Sequence, residues 1–336
     1  MTVMKAVVLT ANQKMELQEI TLAKLDDENC RIKIKNVGVC SSDIQRGFGG
    51  GAYFYPLIMG HELAGEVAEV GKNVKNFWKK DRVVIFPLLP CFKCEACVRE
   101  VYAQCHDYSY YGSRQNGGYA EFIDVKPWNL IKIPSDISFQ DAATTEPTSV
   151  VLHALKRAEV FQRLPKEIAI IGAGFLGLIM AQILQRKCPE VKITIIDRNQ
   201  FKLDIAKKYV SETKLIKNEE EWQKFIDLEA KNKYCVVFEA TGNPPSFSHS
   251  IEIVKHAGRA VWLGNITDDL TISKKNVSNI LRKEIDIIGT WNSEYKGQEN
   301  DDWIEALELM QEGLKPSEIV SYFIKLEEAP QILEKL

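Results

Sequence analysis

The sequence predicts an α/β protein in which a domain built on a doubly wound parallel sheet is combined with a mostly-β domain. At 336 residues, the chain is longer than a single hydrophobic core usually supports. Up to Pro134, short β-rich runs are separated by glycine and proline turns, a pattern typical of an all-β or barrel-like domain. From Glu167 onward, short apolar runs alternate with longer helical segments, which indicates a parallel sheet with helices on both faces.

The elements follow from these patterns in chain order. In the β-rich part, the predicted strands are Lys5–Thr10, Cys30–Val37, Gly65–Val70, Asp81–Phe86 and Tyr119–Val125. In the second part, they are Ile168–Ile171, Lys192–Ile196, Cys235–Glu239, Arg259–Leu263 and Ile285–Ile288. The predicted helices between them are Leu176–Arg186, Gln200–Tyr209, Phe247–His256 and Asn276–Lys283. The tail adds a helix at Asp301–Gln311, a strand at Tyr322–Leu326 and a final helical run.

The charge of the chain is balanced, with 43 basic and 46 acidic residues and a net charge of -3. These charges are scattered, so no basic stripe suits nucleic acid or an anionic membrane. The uncharged stretch Ile168–Leu184 holds seventeen residues, fewer than the roughly twenty that span a bilayer. Lys5 precedes an apolar run of only five residues, so no signal peptide is recognisable. We therefore expect a cytoplasmic protein that acts on a small molecule and has no membrane or nucleic-acid partner.

Four of the eight cysteines fall within fifteen residues, at Cys91, Cys94, Cys97 and Cys105. Thiolates at this spacing bind one tetrahedral Zn²⁺, and four of them form a closed structural site with no position open for chemistry. Two disulfides are an alternative that requires an oxidising compartment. A redox pair is a weaker alternative, because the Cys-x-x-Cys pairs do not begin a βαβ unit. We favour structural zinc.

A glycine-rich turn follows the predicted strand Ile168–Ile171 and begins a helix. The turn comprises Gly172, Ala173, Gly174, Phe175, Leu176 and Gly177. In this context the first glycine permits a tight turn, the second lets the backbone approach a pyrophosphate, and the third lets the helix pack on the strand. Asp197 ends the next strand, where a carboxylate accepts hydrogen bonds from the adenosine ribose. The pattern predicts a Rossmann domain that binds NAD, although the neighbouring Arg198 keeps NADP as an alternative.

Cys40 lies in the segment Gly38–Asp43, and His61 and Glu62 follow after twenty intervening residues. A lone cysteine or histidine is usually a buried or hydrogen-bonded side chain. Together with the four-cysteine cluster and the glycine turn, however, these residues make the sequence resemble the zinc-containing medium-chain dehydrogenases over nearly its whole length. Motifs similar to the polyol dehydrogenase branch are Pro87–Phe92, Gly112–Arg114, Asn116–Glu121 and Gly289–Trp291.

This resemblance implies a fold and a metal content. A catalytic GroES-like domain would comprise residues 1–144 with 290–336, and a Rossmann NAD-binding domain residues 145–289. Each subunit would bind two Zn²⁺ ions, the structural ion and a catalytic one. The implied ligands of the catalytic zinc are Cys40, His61, Glu62 and Glu146. Glu62 would be a ligand or the partner of one, and Glu146 would bind directly or through a water. A carboxylate that starts a helix is the alternative for Glu146.

The resemblance also implies roles for further residues. Ser42 would take the alcohol proton, and Asp43 would orient a metal ligand. Many relatives have a histidine where this chain has Gln45, and glutamine does not titrate, so the path of the proton to solvent differs. The implied cofactor-binding residues are Gly172, Gly174, Phe175, Leu176, Gly177, Asp197, Arg198, Lys202, Thr241, Gly242, Gly289 and Thr290.

The implied activity is NAD-dependent oxidation of a secondary hydroxyl of a polyol or polyol phosphate by a homodimer or homotetramer. Arg114, with Lys296 as a second candidate, would contact a substrate phosphate, and a solvated surface charge is the alternative for either residue. Another alcohol, such as threonine or sorbitol, is the alternative substrate. A zinc-ribbon interaction module is an alternative of another class, and the complete glycine pattern argues against it. The Cys40, His61, Glu62 and Glu146 set argues against a relative that has lost its activity.

Overall fold

The structure is a computed structural model and describes residues 3–336. The chain forms two compact units. One unit runs up to Ser149 and includes Ser293–Leu336, and the other is Val150–Asn292. Within residues 3–336, every helix is too short or too polar to cross a membrane.

The first unit is built from antiparallel sheets. Its strands, β1 to β10, are Val3–Ala11, Lys14–Thr21, Cys30–Gly38, Leu57–Ile58, Glu62–Val70, Arg82–Ile85, Leu88–Leu89, Ser109–Tyr110, Phe122–Val125 and Leu130–Lys132. A five-stranded sheet has the order β10-β6-β5-β3-β9, a three-stranded sheet the order β2-β1-β4, and β7 pairs with β8. The apolar faces of β3 and β5 enter one core, where Ile32, Leu63 and Val67 are almost fully buried.

Helices fill the remaining positions in both units. In chain order, α1 to α12 are Ser41–Phe48, Glu95–Val98, Phe139–Ala143, Thr145–Arg157, Val160–Arg163, Phe175–Lys187, Gln200–Ala206, Glu219–Phe225, Pro244–Ile253, Lys274–Lys283, Asp302–Gln311 and Ala329–Leu333. Short 3₁₀ turns occur at Tyr102–Gln104, Pro127–Asn129, Pro316–Ile319 and Leu326–Glu328, and a π turn at Ile226–Ala230.

The second unit contains a six-stranded parallel sheet. Its strands, β11 to β16, are Glu167–Ile171, Lys192–Asp197, Glu212–Leu215, Tyr234–Glu239, Val254–Trp262 and Asp286–Gly289. Their order is β13-β12-β11-β14-β15-β16, so the chain winds outward in both directions from β11. Ile168, Ala169 and Ile170 are fully buried, as expected for a strand covered on both faces. The predicted doubly wound fold is confirmed, and in such sheets ligands bind beyond the carboxyl ends of the central strands.

Some predicted elements were wrong. Residues 322–326 are not a strand, because the segment pairs with no strand in the described part of the chain, and Tyr322 is 73% exposed. The helix predicted to reach His256 ends at Ile253, since the next residues already belong to β15. The prediction also lacked β2, a half-exposed strand with few strong β-formers, and the long helix α4.

Candidate active site and metal centres

The four-cysteine cluster forms around the short helix α2. The ligand atoms of Cys91, Cys94, Cys97 and Cys105 all lie within 4.8 Å of one another. The Sγ atoms of Cys91 and Cys97 are 3.9 Å apart and those of Cys94 and Cys105 are 3.8 Å apart. Zn–S bonds of about 2.3 Å place tetrahedral ligand atoms about 3.8 Å apart, so the four thiols fit one Zn²⁺. A disulfide requires an S–S distance of about 2.0 Å, and the sulfur atoms of these pairs are much farther apart.

Backbone amides prepare this cluster for a metal. The N–H groups of His106 and Cys97 lower the pKa of the Cys94 thiol to about 6, and the thiolate is the form that binds metal. The N–H groups of Cys91 and Cys94 also donate to sulfur, at 3.3 Å and 3.4 Å.

A second candidate metal centre lies where β3 and β5 pair. The register places Gly38 opposite Glu62, which brings Cys40, just beyond β3, next to His61, just before β5. The ligand atoms of Cys40, His61 and Glu62 lie within 4.8 Å of one another. A Cβ atom on residue 38 would lie 1.8 Å from a carboxylate oxygen of Glu62, so this close approach requires glycine. Sulfur, imidazole and carboxylate are the donor types that zinc binds, and the set is consistent with a catalytic zinc.

Asp43 orients the imidazole of this cluster. Its carboxylate is almost fully buried and lies 3.4 Å from Nδ1 of His61. It also accepts hydrogen bonds from Nη1 of Arg46 at 2.9 Å and from the hydroxyl of Tyr119 at 3.0 Å. Burial raises the pKa of Asp43, but the nearby charges of His61 and Arg46 outweigh it, so the pKa is lowered. A carboxylate at Nδ1 leaves Nε2 for a metal, an arrangement common in zinc sites.

Glu146 and Tyr110 lie beside the cluster. Glu146 starts α4 and is 9% exposed, and the hydroxyl of Tyr110 donates to its carboxylate at 3.4 Å. The Tyr110 ring packs edge-on against His61 at 5.8 Å. Glu146 is outside the group of atoms within 4.8 Å, so the structure brings three of the four predicted ligands together and places the fourth next to them. Burial raises the pKa of Glu62, and the charges of Cys40 and Glu146 add to this rise.

The predicted proton-transfer residues lie on α1. Ser42 is half-buried in its first turn, two residues after Cys40, and Gln45 is exposed one turn later. The residues that complete the environment, Arg46, Tyr110 and Tyr119, were not part of the sequence prediction. Arg46 lies on α1 three residues after Asp43, whereas Tyr110 and Tyr119 are distant along the chain and are brought to the cluster by the fold.

The glycine turn of the second unit has the geometry of a phosphate-binding loop. Gly172 has a φ of +110°, which favours glycine. A Cβ atom on Gly177 would lie 2.0 Å from the carbonyl oxygen of Gly172, so the helix can pack this closely only with glycine. A Cβ atom on Gly174 would meet nothing within 4 Å, which leaves open space at the start of α6. The free N–H groups there suit a pyrophosphate, so a dinucleotide fits this loop.

The other predicted cofactor residues surround this turn. Oδ2 of Asp197, at the end of β12, accepts a hydrogen bond from the N–H of Ala173 at 2.7 Å. Phe175 and Leu176 lie in the first turn of α6, and Arg198 and Lys202 are exposed near the end of β12. Gly289 is the last residue of β16, and Thr290 follows it.

One carboxylate of the second unit was not predicted. Glu239 ends β14 and is fully buried. It accepts hydrogen bonds from the N–H groups of Thr241 at 2.7 Å and Gly242 at 3.1 Å and from the hydroxyl of Ser246 at 2.6 Å. Glu239 therefore holds the Thr241–Gly242 turn in place. The signal available in the sequence is an acidic residue that ends an apolar strand two residues before a Thr-Gly pair.

Comparisons with known proteins agree with this site. Residues 26–135 match the alcohol dehydrogenase GroES-like domain, and residues 176–312 match the zinc-binding dehydrogenase family. Galactitol 1-phosphate 5-dehydrogenase of Escherichia coli (strain K12) is 32% identical over 314 residues, which cover 92% of this chain and 89% of that protein. Sorbitol dehydrogenase of Bacillus subtilis (strain 168) is 29% identical over 85% of this chain and 81% of its own. The crystal structure of galactitol-1-phosphate dehydrogenase from Escherichia coli has a TM-score of 0.88 and 31% identity, and the match covers 99% of this chain and 96% of that one. The predicted resemblance is confirmed.

Proposed function

Because this chain belongs to the zinc-binding alcohol dehydrogenases with a GroES-like domain, we propose that it oxidises a secondary hydroxyl of a polyol or polyol phosphate and transfers hydride to NAD. The relatives support this substrate class, since they include enzymes named for galactitol 1-phosphate, sorbitol and D-altritol. Threonine and other alcohols are the alternative within the family.

The observation that carries the proposal is the buried group of Cys40, His61 and Glu62. These residues would hold the catalytic zinc, with Glu146 as a further ligand or the partner of a bound water. When bound, the ion would polarise the oxygen of the substrate hydroxyl and lower its pKa toward neutrality. The four cysteines of the other cluster would hold a second, structural zinc.

The chain's own residues would position the ligands and move the proton. Asp43 keeps the His61 ring in one orientation, and the hydroxyl of Tyr119 and the guanidinium of Arg46 hold Asp43. Oγ of Ser42 would take the proton of the substrate hydroxyl. Gln45 has no titrating group, so water would carry the proton onward.

The second unit would bind NAD, which would accept the hydride. Its pyrophosphate would lie against the free N–H groups at Gly174, and its adenosine ribose would donate hydrogen bonds to Asp197. The carboxylate of Asp197 would repel a 2′-phosphate, which favours NAD over NADP. Lys202 would reach the same ribose, and Thr241, Gly242, Gly289 and Thr290 would line the nicotinamide.

Compartment and assembly are further parts of the proposal. All eight cysteines are free thiols, as in a reducing compartment, and this supports a cytoplasmic location. The family resemblance supports a homodimer or homotetramer, which light scattering on purified protein would test.

A spectrophotometric substrate panel tests the proposed function. Polyols, polyol phosphates, threonine and simple alcohols are each assayed with NAD⁺ and NADP⁺, before and after treatment with a chelator. We expect NAD reduction with at least one polyol or polyol phosphate, and loss of this activity after chelation. Cys40→Ala should be inactive, whereas Cys188→Ala, which changes a buried cysteine outside both metal centres, should keep the activity. Failure of every polyol and polyol phosphate would refute the proposal.

A further inference from the structure

We propose that Arg114 binds the phosphate of the substrate, which makes a phosphorylated polyol the preferred substrate. The inference rests on the proposed function and deepens it, because it selects between the two substrate classes that the proposal leaves open.

The guanidinium of Arg114 lies against two aromatic rings. Its central carbon is 4.1 Å from the ring centroid of Tyr108 and 4.5 Å from that of Tyr53. Such cation–π contacts hold a cation in place without neutralising its charge. Within residues 3–336, the structure gives this side chain no ion pair and no hydrogen bond, so its five N–H donors remain available.

This lack of partners distinguishes Arg114 from the other arginines in the described part of its unit. Arg31, Arg46 and Arg99 pair with carboxylates. Arg82 donates to backbone carbonyl oxygens that follow β10. Lys296, the other cation considered for this role, has its Nζ 3.9 Å from a carboxylate oxygen of Glu294. Among the described arginines of this unit, Arg114 is therefore the one whose guanidinium is left to receive an anion from outside.

Two ring contacts connect Arg114 to the candidate metal centre. The Tyr108 ring packs edge-on against Tyr110 at 6.4 Å, and the two residues face the same side because they are two apart in an extended segment. Tyr110 in turn contacts both His61 and Glu146. Arg114 is therefore connected to the candidate metal centre through Tyr108 and Tyr110. A polyol monophosphate carries its anionic group at a distance from the hydroxyl that is oxidised, so one such molecule could contact both.

The chemistry of the guanidinium favours phosphate. A planar guanidinium donates two parallel hydrogen bonds to one phosphate, and these bonds are charge-assisted. A neutral polyol offers only hydroxyl groups to the same cation. A carboxylate at the end of a polyol chain would be the other anion of suitable shape, and the experiment includes it.

The test compares galactitol, galactitol 1-phosphate and galactonate as substrates with NAD. The enzymes are the wild type, Arg114→Gln, Arg114→Lys and, as a matched control, Arg282→Gln, which changes an exposed arginine of α10. We expect the wild type to prefer the phosphate, and Arg114→Gln to reduce that preference in kcat/KM about 10- to 100-fold, mainly through KM. Arg114→Lys should recover part of it, and Arg282→Gln should retain it.

Each other outcome is decisive. A wild type that oxidises galactitol without preferring the phosphate overturns the inference and leaves the proposed function standing, as does an unchanged preference in Arg114→Gln. A preference of the wild type for galactonate also overturns the inference. So does a rise in the KM for NAD in Arg114→Gln that is as large as the rise in the KM for galactitol 1-phosphate. If the wild type oxidises none of the three, the wider substrate panel decides the proposed function, and calorimetry with galactitol 1-phosphate decides the inference. Binding that is lost in Arg114→Gln supports it, whereas equal binding or no binding overturns it.

Discussion

Replacing Asp43 by asparagine keeps the shape of the side chain but removes its charge. The carboxylate is about 1% exposed and faces donors from His61, Arg46 and Tyr119 and from the backbone N–H of Cys40. An asparagine has one acceptor oxygen, and its NH₂ group must point toward some of these donors. The substitution therefore leaves the guanidinium of Arg46, whose side chain is only 14% exposed, without its counter-charge.

The expected cost is large for a substitution that preserves shape. Removing one partner of a buried ion pair costs about 3–5 kcal/mol, and the remaining acceptor oxygen of asparagine moves the value toward about 3 kcal/mol. The affinity for the catalytic zinc should fall roughly 10- to 100-fold, since Asp43 orients the imidazole of His61. Tyr119→Phe removes one neutral donor and should cost about 1 kcal/mol.

Urea denaturation followed by circular dichroism measures the free energy of unfolding, and competition with a colorimetric chelator measures the zinc affinity. Asp204→Asn is the matched control, because that aspartate is 52% exposed and should change stability by less than about 0.5 kcal/mol. A loss below about 1 kcal/mol in Asp43→Asn, together with unchanged zinc affinity, would refute the role assigned to this carboxylate.

Three further predictions concern other parts of the chain. Asp197→Ala should raise the KM for NAD about tenfold and shift the preference toward NADP, since Arg198 remains, and steady-state kinetics with an unchanged KM would contradict this. Cys97→Ser should lower the zinc content from about two ions per chain to about one by elemental analysis, and retention of two would exclude the four-cysteine site. Burial lowers the pKa of Lys283 in the folded chain below its ordinary value of 10.5. Between the folded and the unfolded pKa, the unfolded chain therefore binds more protons than the folded chain, and stability rises with pH. In Lys283→Met, the urea midpoint should no longer show this rise between pH 8 and 10.5. Parallel pH profiles of the wild type and the variant would contradict this.

Much of the fold was predictable because its signals are local. The alternation of apolar strands and helices after Glu167 predicted the parallel sheet, and the order of its strands agrees with a doubly wound fold. Residues 322–326 show the limit of this reasoning. Their composition suits a strand, but a strand is stable only when another strand pairs with it, and none within residues 3–336 does so.

The candidate site likewise has a part that was predictable from the sequence and a part that was not. Cys40, His61 and Glu62 were named from a resemblance, whereas their proximity depends on the pairing register of β3 with β5. Spacing along the chain gave no indication that Tyr119 donates to Asp43, which is 76 residues away. Glu239 differs, because it lies two residues before Thr241, and a local signal for its contact with the Thr241–Gly242 turn was available.

The sequence by itself determined the features whose atoms are close in space because their residues are close along the chain. The four-cysteine cluster around Cys94 and the turn at Gly172 are of this kind, since a few covalent bonds restrict where their donors can lie. Only the tertiary structure decided which distant side chains meet. Strand register and burial bring Asp43, Tyr110 and Glu146 around one cluster. They also leave the guanidinium of Arg114 against two tyrosine rings, without a carboxylate partner among residues 3–336. Register and packing result from many contacts acting together, so no short segment of the sequence contains them.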